Sequence, residues 1–432
     1  MISRKRVSES AVAIGVALFI GAMSLIWIRV ASPLGDNLRV TFFSPLILLA
    51  ALATYQPWVL FVARSLTFRM APLLGFYFIY LILLGLLFPE AGDTSMVRRQ
   101  FIYIIGALFF GLGLACCSAN RRALRLGGVF GVIAFVLFVE IFARSIGMNL
   151  IGIFQQFART GDFDFLVFEV WREIFRAASS SPEDVVGSEK NTVSIALLLT
   201  LIFARIGAPR DQSDWLGRAI TAVCVILLLM LNTRIVLISF LICLILALAI
   251  DRQATGRFFK GRFALSSAFA GVLALTFAGI FIADSTAAMA LFERFAFEDD
   301  SAGSRVTQLT GAFAAIESAP IAGRGFTLVD GTMIHNLFFA AWVHAGFVAF
   351  LLTVVTYAII LRALVQHIYL AAMRPETWTL PIRPEWVAGL PVFSLLSPWV
   401  SGDAGHPSAT SWIGIVAFLT IIWLNDRNRQ TG

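Results

Sequence analysis

The sequence predicts an all-α membrane protein: one polytopic integral helical bundle of about twelve transmembrane helices over residues 1–432, both termini cytoplasmic, with two long periplasmic loops. Three observations predict it. The chain is 59% hydrophobic and 14% charged, with a mean hydropathy of +0.86, whereas a soluble domain carries roughly 25% charged residues. Its apolar runs are long and unbroken, which fits helices and excludes the alternating pattern of a membrane barrel. Its arginines and lysines are unevenly divided between the connections, which sets an orientation.

The basic start Arg4-Lys5-Arg6 leads into an apolar run too long for a signal-peptide core and without a convincing small-residue cleavage site, so the first span, Ser10 to Val30, reads as an anchor. Further spans follow at Val40 to Val62, Ala71 to Phe88, Phe101 to Cys117 and Gly127 to Ile146. After a loop over 147–190 come Asn191 to Phe203, Ala219 to Leu231, Ile235 to Ile250 and Phe263 to Ala283. After a second loop over 284–334 come Leu337 to Leu361, Trp386 to Val400 and Trp412 to Leu424. Pro391 and Pro398 make the span from Trp386 the weakest of these.

Cytoplasmic connections retain positive charge. With the N-terminus inside, they hold Arg4, Lys5 and Arg6, then Arg121, Arg122 and Arg125, and finally Arg427 and Arg429. The short connections opposite hold only Arg29, Arg39, Arg98, Arg99 and Arg234. This pattern places the chain in a bacterial inner membrane with its working face in the periplasm. The formal charge of +7 is largely this topological signal, and the scattered basic residues form no stripe for nucleic acid. Cys116, Cys117, Cys224 and Cys243 lie in or beside apolar runs without zinc or disulfide spacing, and read as core. Glu140, an acid inside a span, needs a partner or a cavity, and Arg144 stands one turn away.

Both long loops face the periplasm in this topology. In the first, Phe163 to Phe175 reads as an amphipathic helix, which either lies on the bilayer as a lid or caps the bundle, the second being the commoner use. Asp162 and Asp164 form an alternating acidic pair, a weak match to a divalent-ion site with no further ligand nearby. No metal and no cofactor is therefore expected.

Further along, four features succeed one another. Asn232-Thr233-Arg234 lies at a span boundary, Gly303-Ser304-Arg305 opens a helical stretch, Pro320-Ile321-Ala322-Gly323-Arg324-Gly325 forms a turn, and His335-Asn336 precedes an apolar helix. This order resembles the O-antigen ligase and polysaccharide polymerase superfamily, over roughly Asn191 to Leu361. The resemblance implies a GT-C-like membrane glycosyltransferase that takes a glycan from undecaprenyl diphosphate and passes it to a sugar hydroxyl at the periplasmic face. It matches Arg234, Arg305 and His335 to the family's catalytic positions. It matches Asn191, Gly323, Gly325 and Asn336 to substrate-binding or supporting ones, with Arg324 between the glycines as a third phosphate contact. Where many members carry a Glu beyond His-Asn, this chain has His344.

The residue types suit that chemistry on their own terms. A guanidinium binds diphosphate oxygens through two parallel hydrogen bonds, and a histidine can take the acceptor proton near neutral pH. Each also has a plainer use, as an interfacial anchor for Arg234 or a helix cap for Asn336. The expected partners are the lipid-linked glycan donor, a glycan or lipid-linked acceptor, membrane lipids, and proteins of polysaccharide export. Exopolysaccharide or O-antigen polymerisation is favoured over ligation to a lipid A core. A lipid-linked glycan flippase is the third alternative, disfavoured because the spans are nearly free of charge and show no related halves.

Overall fold

In the computed structural model, the described residues are 2–31, 37–39, 43–53, 75, 79, 81–83, 94–162, 165–177, 188–209, 214–231, 233–255, 300–325, 334, 336–400 and 408–431. They are overwhelmingly helical, with one small antiparallel ribbon of β1 (Arg29–Ala31) and β2 (Asn37–Arg39). The first helices are α1 (Ile2–Met23), α2 (Phe43–Ala53), α3 (Thr94–Cys116) and α4 (Arg121–Ser145). The middle set is α5 (Leu150–Thr160), α6 (Trp171–Ala177), α7 (Ser188–Ile206), α8 (Trp215–Leu231) and α9 (Arg234–Thr255). The last set is α10 (Asp300–Ser318), α11 (Leu337–Met373), α12 (Pro384–Val387), α13 (Val392–Val400) and α14 (Ala409–Thr431).

Three of these helices are long and apolar enough to cross a membrane: Arg121–Ser145, Leu337–Met373 and Ala409–Gln430. Shorter apolar helices run over Glu9–Met23, Gln100–Cys116, Asn191–Ile206, Trp215–Leu231 and Ile235–Asp251. Their outer surfaces are apolar too. Leu126, Phe130, Ile133, Leu137 and Ile141 form one exposed stripe along α4, a surface suited to lipid rather than water. Much of the expected spans Val40 to Val62 and Ala71 to Phe88, and all of Phe263 to Ala283, lie outside the described residues.

The bundle has two ends. Gly127 and Gly131 press α4 onto α1, where a Cβ at Gly127 would fall 2.7 Å from the Ala17 carbonyl oxygen, and Gly128 presses α4 onto Ala204 of α7. Such small residues let backbones approach closely and replace hydrophobic drive with contact area. They also fix direction. Both α1 and α4 run from what we call the lower end to the upper end, and α7 runs back. Phe19 stacks on Phe110 at 4.6 Å, and Trp412 donates from Nε1 to Gln100 Oε1, so α3 and α14 both descend. The chain thus starts and finishes at the lower end.

A buried charged corner ties the lower end together. Asp214 accepts from Arg125 at 2.9 Å, from Arg205 at 3.2 Å and from the Gly217 amide at the start of α8. Arg205 lies over the Trp386 ring, and Arg383 donates its amide to Ile206 O and its side chain to Pro209 O. One carboxylate therefore joins the ends of α4, α7 and α8, with Trp386 of α12 closing the cluster.

Several sequence expectations need correction. The span from Ser10 ends as a helix at Met23, not Val30. The Ser24 hydroxyl donates to the Gly21 and Gly131 carbonyls, and Trp27 turns under Phe135, Phe142 and Phe175. Apolarity there reflects a buried turn, not a continuing helix. The span from Trp386 is two helices, α12 and α13, divided before Pro391, which cannot donate to a helical ladder. Glu140 is not deep in the bundle. It pairs with Arg144 at 2.7 Å and accepts from the Leu150 amide, capping α5 near the upper surface. The stretch from Phe165 forms a π-helical turn and then α6, whose Trp171, Ile174 and Phe175 are buried, so it caps the bundle. All four cysteines are free and buried, as core residues should be.

Candidate functional site

The upper end is where α7, α9 and α11 begin. Thr233 precedes α9, and its carbonyl accepts from the Val236 and Leu237 amides, so it is the residue from which the helix starts. Its hydroxyl meets Ser194 Oγ at 2.9 Å, both groups being buried. Asn191 lies three residues before Ser194 on α7, hence on the same face, and is partly exposed. Arg234 is the first residue of α9. The contact between Ser194 and Thr233 therefore sets the stretch of α7 that follows Asn191 beside the start of α9.

The second part of the site is built on α11, which is two helices joined at a break. Ala345 has φ −133° and ψ 17°, and Gly346 has φ 81° and ψ −173°, a conformation open to glycine. The arms, 337–344 and 347–373, fold back on one another. Phe338 meets Tyr357 edge to face at 5.5 Å, and Trp342 meets Phe350 at 4.8 Å. In an unbroken helix the first pair would lie about 28 Å apart along the axis. Alongside the first arm runs α10, with Phe313 against Phe339 at 5.0 Å and Ala312, Ala315 and Ile316 packed with Ile334, Ala340 and Val343.

Asn336 starts the first arm as its N-cap, accepting from the Phe338 and Phe339 amides through Oδ1. This is the plainer role read from sequence. His335 itself lies outside the described residues, as does Asn232. Arg305 stands on α10, eight residues before Phe313 and so about 12 Å back along the axis. That places it toward the base of the hairpin, beyond the level of Asn336. Helix α9 packs on α11 and on α13, and Leu395 of α13 borders the Leu337, Phe338 and Tyr357 cluster.

Gly323, Arg324 and Gly325 sit elsewhere, at the tip of the hairpin. The Arg324 and Gly325 amides donate to the Val343 and His344 carbonyls at 2.6 and 2.9 Å, and the Phe347 amide donates to Pro320 O. Trp342 Nε1 donates to the same carbonyl at 2.8 Å. The turn thus satisfies the backbone groups that the break in α11 releases. Gly323 has φ 75°, and a Cβ there would sit 2.6 Å from the Gly346 nitrogen. A Cβ at Gly346 would sit 1.8 Å from the Ile321 oxygen. The glycines therefore serve a backbone clasp, about 12 Å from Asn336, the length of the first arm. The Arg324 side chain is exposed. His344 is buried and contributes its carbonyl to the clasp.

Sequence reasoning missed Ser194, Thr233 as a bridging group, and Gly346. The only available signal was Ala345-Gly346 within a long apolar run, where an isolated glycine marks a break or a close approach. Asp162 accepts from the Phe165 amide and so opens the π-helical turn, while Asp164 is outside the described residues. Among the described residues no three histidine, cysteine or acidic side chains gather as a metal site. No protein-family model matches the chain, and no curated protein matches it.

Proposed function

We propose that the chain is a membrane glycosyltransferase that moves a glycan from undecaprenyl diphosphate to a sugar hydroxyl at the periplasmic face of the inner membrane, as a polysaccharide polymerase. The observation that carries this reading is the meeting at one end of the bundle of the starts of α7 and α9, bearing Asn191 and Arg234. Asn336 adds support where it caps the first arm of α11, beside His335. In this reading the upper end faces the periplasm, the lower end with its basic residues faces the cytoplasm, and the remaining spans bring the count to about twelve.

A lipid diphosphate presents two negative groups at the membrane surface. Helix N-termini add partial positive charge there. Arg234 and Arg305 bind the diphosphate oxygens and offset the charge that grows as the glycosidic bond breaks. His335 takes the proton of the attacking hydroxyl. Asn336 caps the helix that follows His335 in sequence, and Asn191 contacts the donor. The clasp glycines shape the hairpin, with Arg324 as an outer contact for the glycan or a phosphate.

Purified protein in lipid vesicles, given the lipid-diphosphate repeat unit alone, is expected to build a ladder of products. A product that appears only after lipid A core is added supports ligation instead. Movement of substrate between leaflets without transfer supports a flippase. Arg234→Lys and Arg305→Lys are expected to lose at least tenfold in rate with weaker donor binding, because lysine lacks the bidentate fork. His335→Ala is expected to keep donor binding and lose transfer, most steeply at neutral pH. Full activity in all three variants overturns the assignment.

A further inference from the structure

We infer that Ser194 and Thr233 form a positioning pair that fixes the start of α9, and with it the backbone of Arg234, so that the buried hydroxyl contact between α7 and α9 sets the rate of the transfer proposed above, on which this inference rests. A threonine at a helix start commonly turns its hydroxyl onto the amides of its own first turn. Here the Thr233 hydroxyl instead reaches across to Ser194 Oγ at 2.9 Å, and at 3.5 Å to the Leu231 carbonyl. Ser194 is fully buried and Thr233 nearly so. Two hydroxyls held this way, 39 residues apart in sequence, lock the starting point of α9 to the flank of α7.

The consequence falls on the next residue. Arg234 is the first residue of α9, so the place of its backbone follows the seat of Thr233 on α7. A long side chain magnifies a small rotation at its root, and a bidentate contact tolerates little misplacement; an error of 1 Å can cost about a hundredfold in rate. The same α7 face carries Asn191 one turn earlier, so the bridge also ties the backbone that bears Asn191 to the one that bears Arg234. Ser194 and Thr233 touch no substrate in this account. They act through Arg234.

The test uses the full-length protein in vesicles, with transfer measured per folded molecule on Arg234→Ala, Thr233→Val, Thr233→Ser, Ser194→Ala and the double variant Ser194→Ala with Thr233→Val. Arg234→Ala is expected to be inactive. Thr233→Val and Ser194→Ala are each expected to lose about tenfold in kcat/KM for the lipid diphosphate, with KM for the acceptor unchanged. Thr233→Ser, which keeps the hydroxyl, is expected to hold near the parent rate. The double variant is expected to lose less than the product of the two single losses, because the two residues share one contact. An inactive Arg234→Ala beside fully active Thr233→Val and Ser194→Ala overturns the positioning pair and leaves the proposed function standing. An active Arg234→Ala overturns the function, and the pair with it. Losses that vanish per folded molecule, or failure of both single variants to fold, show a purely structural contact and overturn the inference.

Discussion

Asp214 shows how much one side chain can carry. It meets Arg125, Arg205 and the Gly217 amide in a site with little water. Replacing it by alanine leaves Arg205 buried without its carboxylate, and breaking such a pair from one side costs roughly 3–5 kcal/mol. Asp214→Ala is expected to show this as a clear fall in melting temperature in detergent, whereas Asp214→Asn, which keeps the cap on α8, should lose less. Asn336 offers a contrast at the upper end. Its cap is worth about 1 kcal/mol, so Asn336→Asp or Asn336→Ser preserves stability, and any large loss of transfer in those variants reports contact with substrate. Of these residues the sequence displayed Asn336, through its place before an apolar run. Asp214 was invisible, because its partners Arg125 and Arg205 come from other helices and each alone reads as an ordinary charge at a span boundary.

The element that departs furthest from its sequence reading is α11. Hydropathy shows one span from Leu337, but the chain makes a hairpin whose break is closed by the turn Pro320 to Gly325. The glycines of that turn were legible as glycines that matter, since two of them flank an arginine after a proline. Their use was not legible, because it depends on Gly346, 21 residues beyond Gly325 and folded onto it. Gly346→Ala is expected to release the clasp: a Cβ cannot sit 1.8 Å from the Ile321 oxygen, and a residue other than glycine at φ 81° and ψ −173° costs roughly 1–3 kcal/mol besides. Hydrogen exchange over residues 320–344 measures the result. Faster exchange there with the rest of the bundle unchanged is the expected outcome, and uniform exchange throughout would show that the hairpin does not open as a unit. The capping role of α6 was more readable, since burial of Trp171, Ile174 and Phe175 follows from their helical spacing.

For the molecule as a whole, the helical character and the lipid-suited surface could be read from composition and run length, because both follow from the solvent the chain must meet. Which helices touch could not, since the contacts rest on small residues such as Gly127, Gly128 and Gly131 whose partners lie far along the chain. Orientation has a direct check. The four native cysteines are buried and free, so a single introduced cysteine can be labelled against a quiet background. Ile321→Cys is expected to react with a membrane-impermeant reagent from the periplasmic side, and Trp215→Cys only after the cells are opened; the reverse pattern would invert the topology and remove the proposed site from its substrate.

The second arm of α11, 347–373, rises about 40 Å, while the hydrocarbon layer is about 30 Å thick. If the arm crosses the bilayer as proposed, it either tilts or leaves roughly a quarter of its length clear of the lipid tails, and an excess at its upper end would carry the hairpin tip. Acyl chain length then becomes a ruler for the tip. Vesicles of longer-chain lipid, which absorb the surplus by hydrophobic matching, are expected to draw Ile321, 79% exposed, toward the headgroups. An Ile321→Cys protein is expected to label more slowly as the membrane thickens, whereas a rate indifferent to thickness would mean that the arm takes up the surplus by tilting.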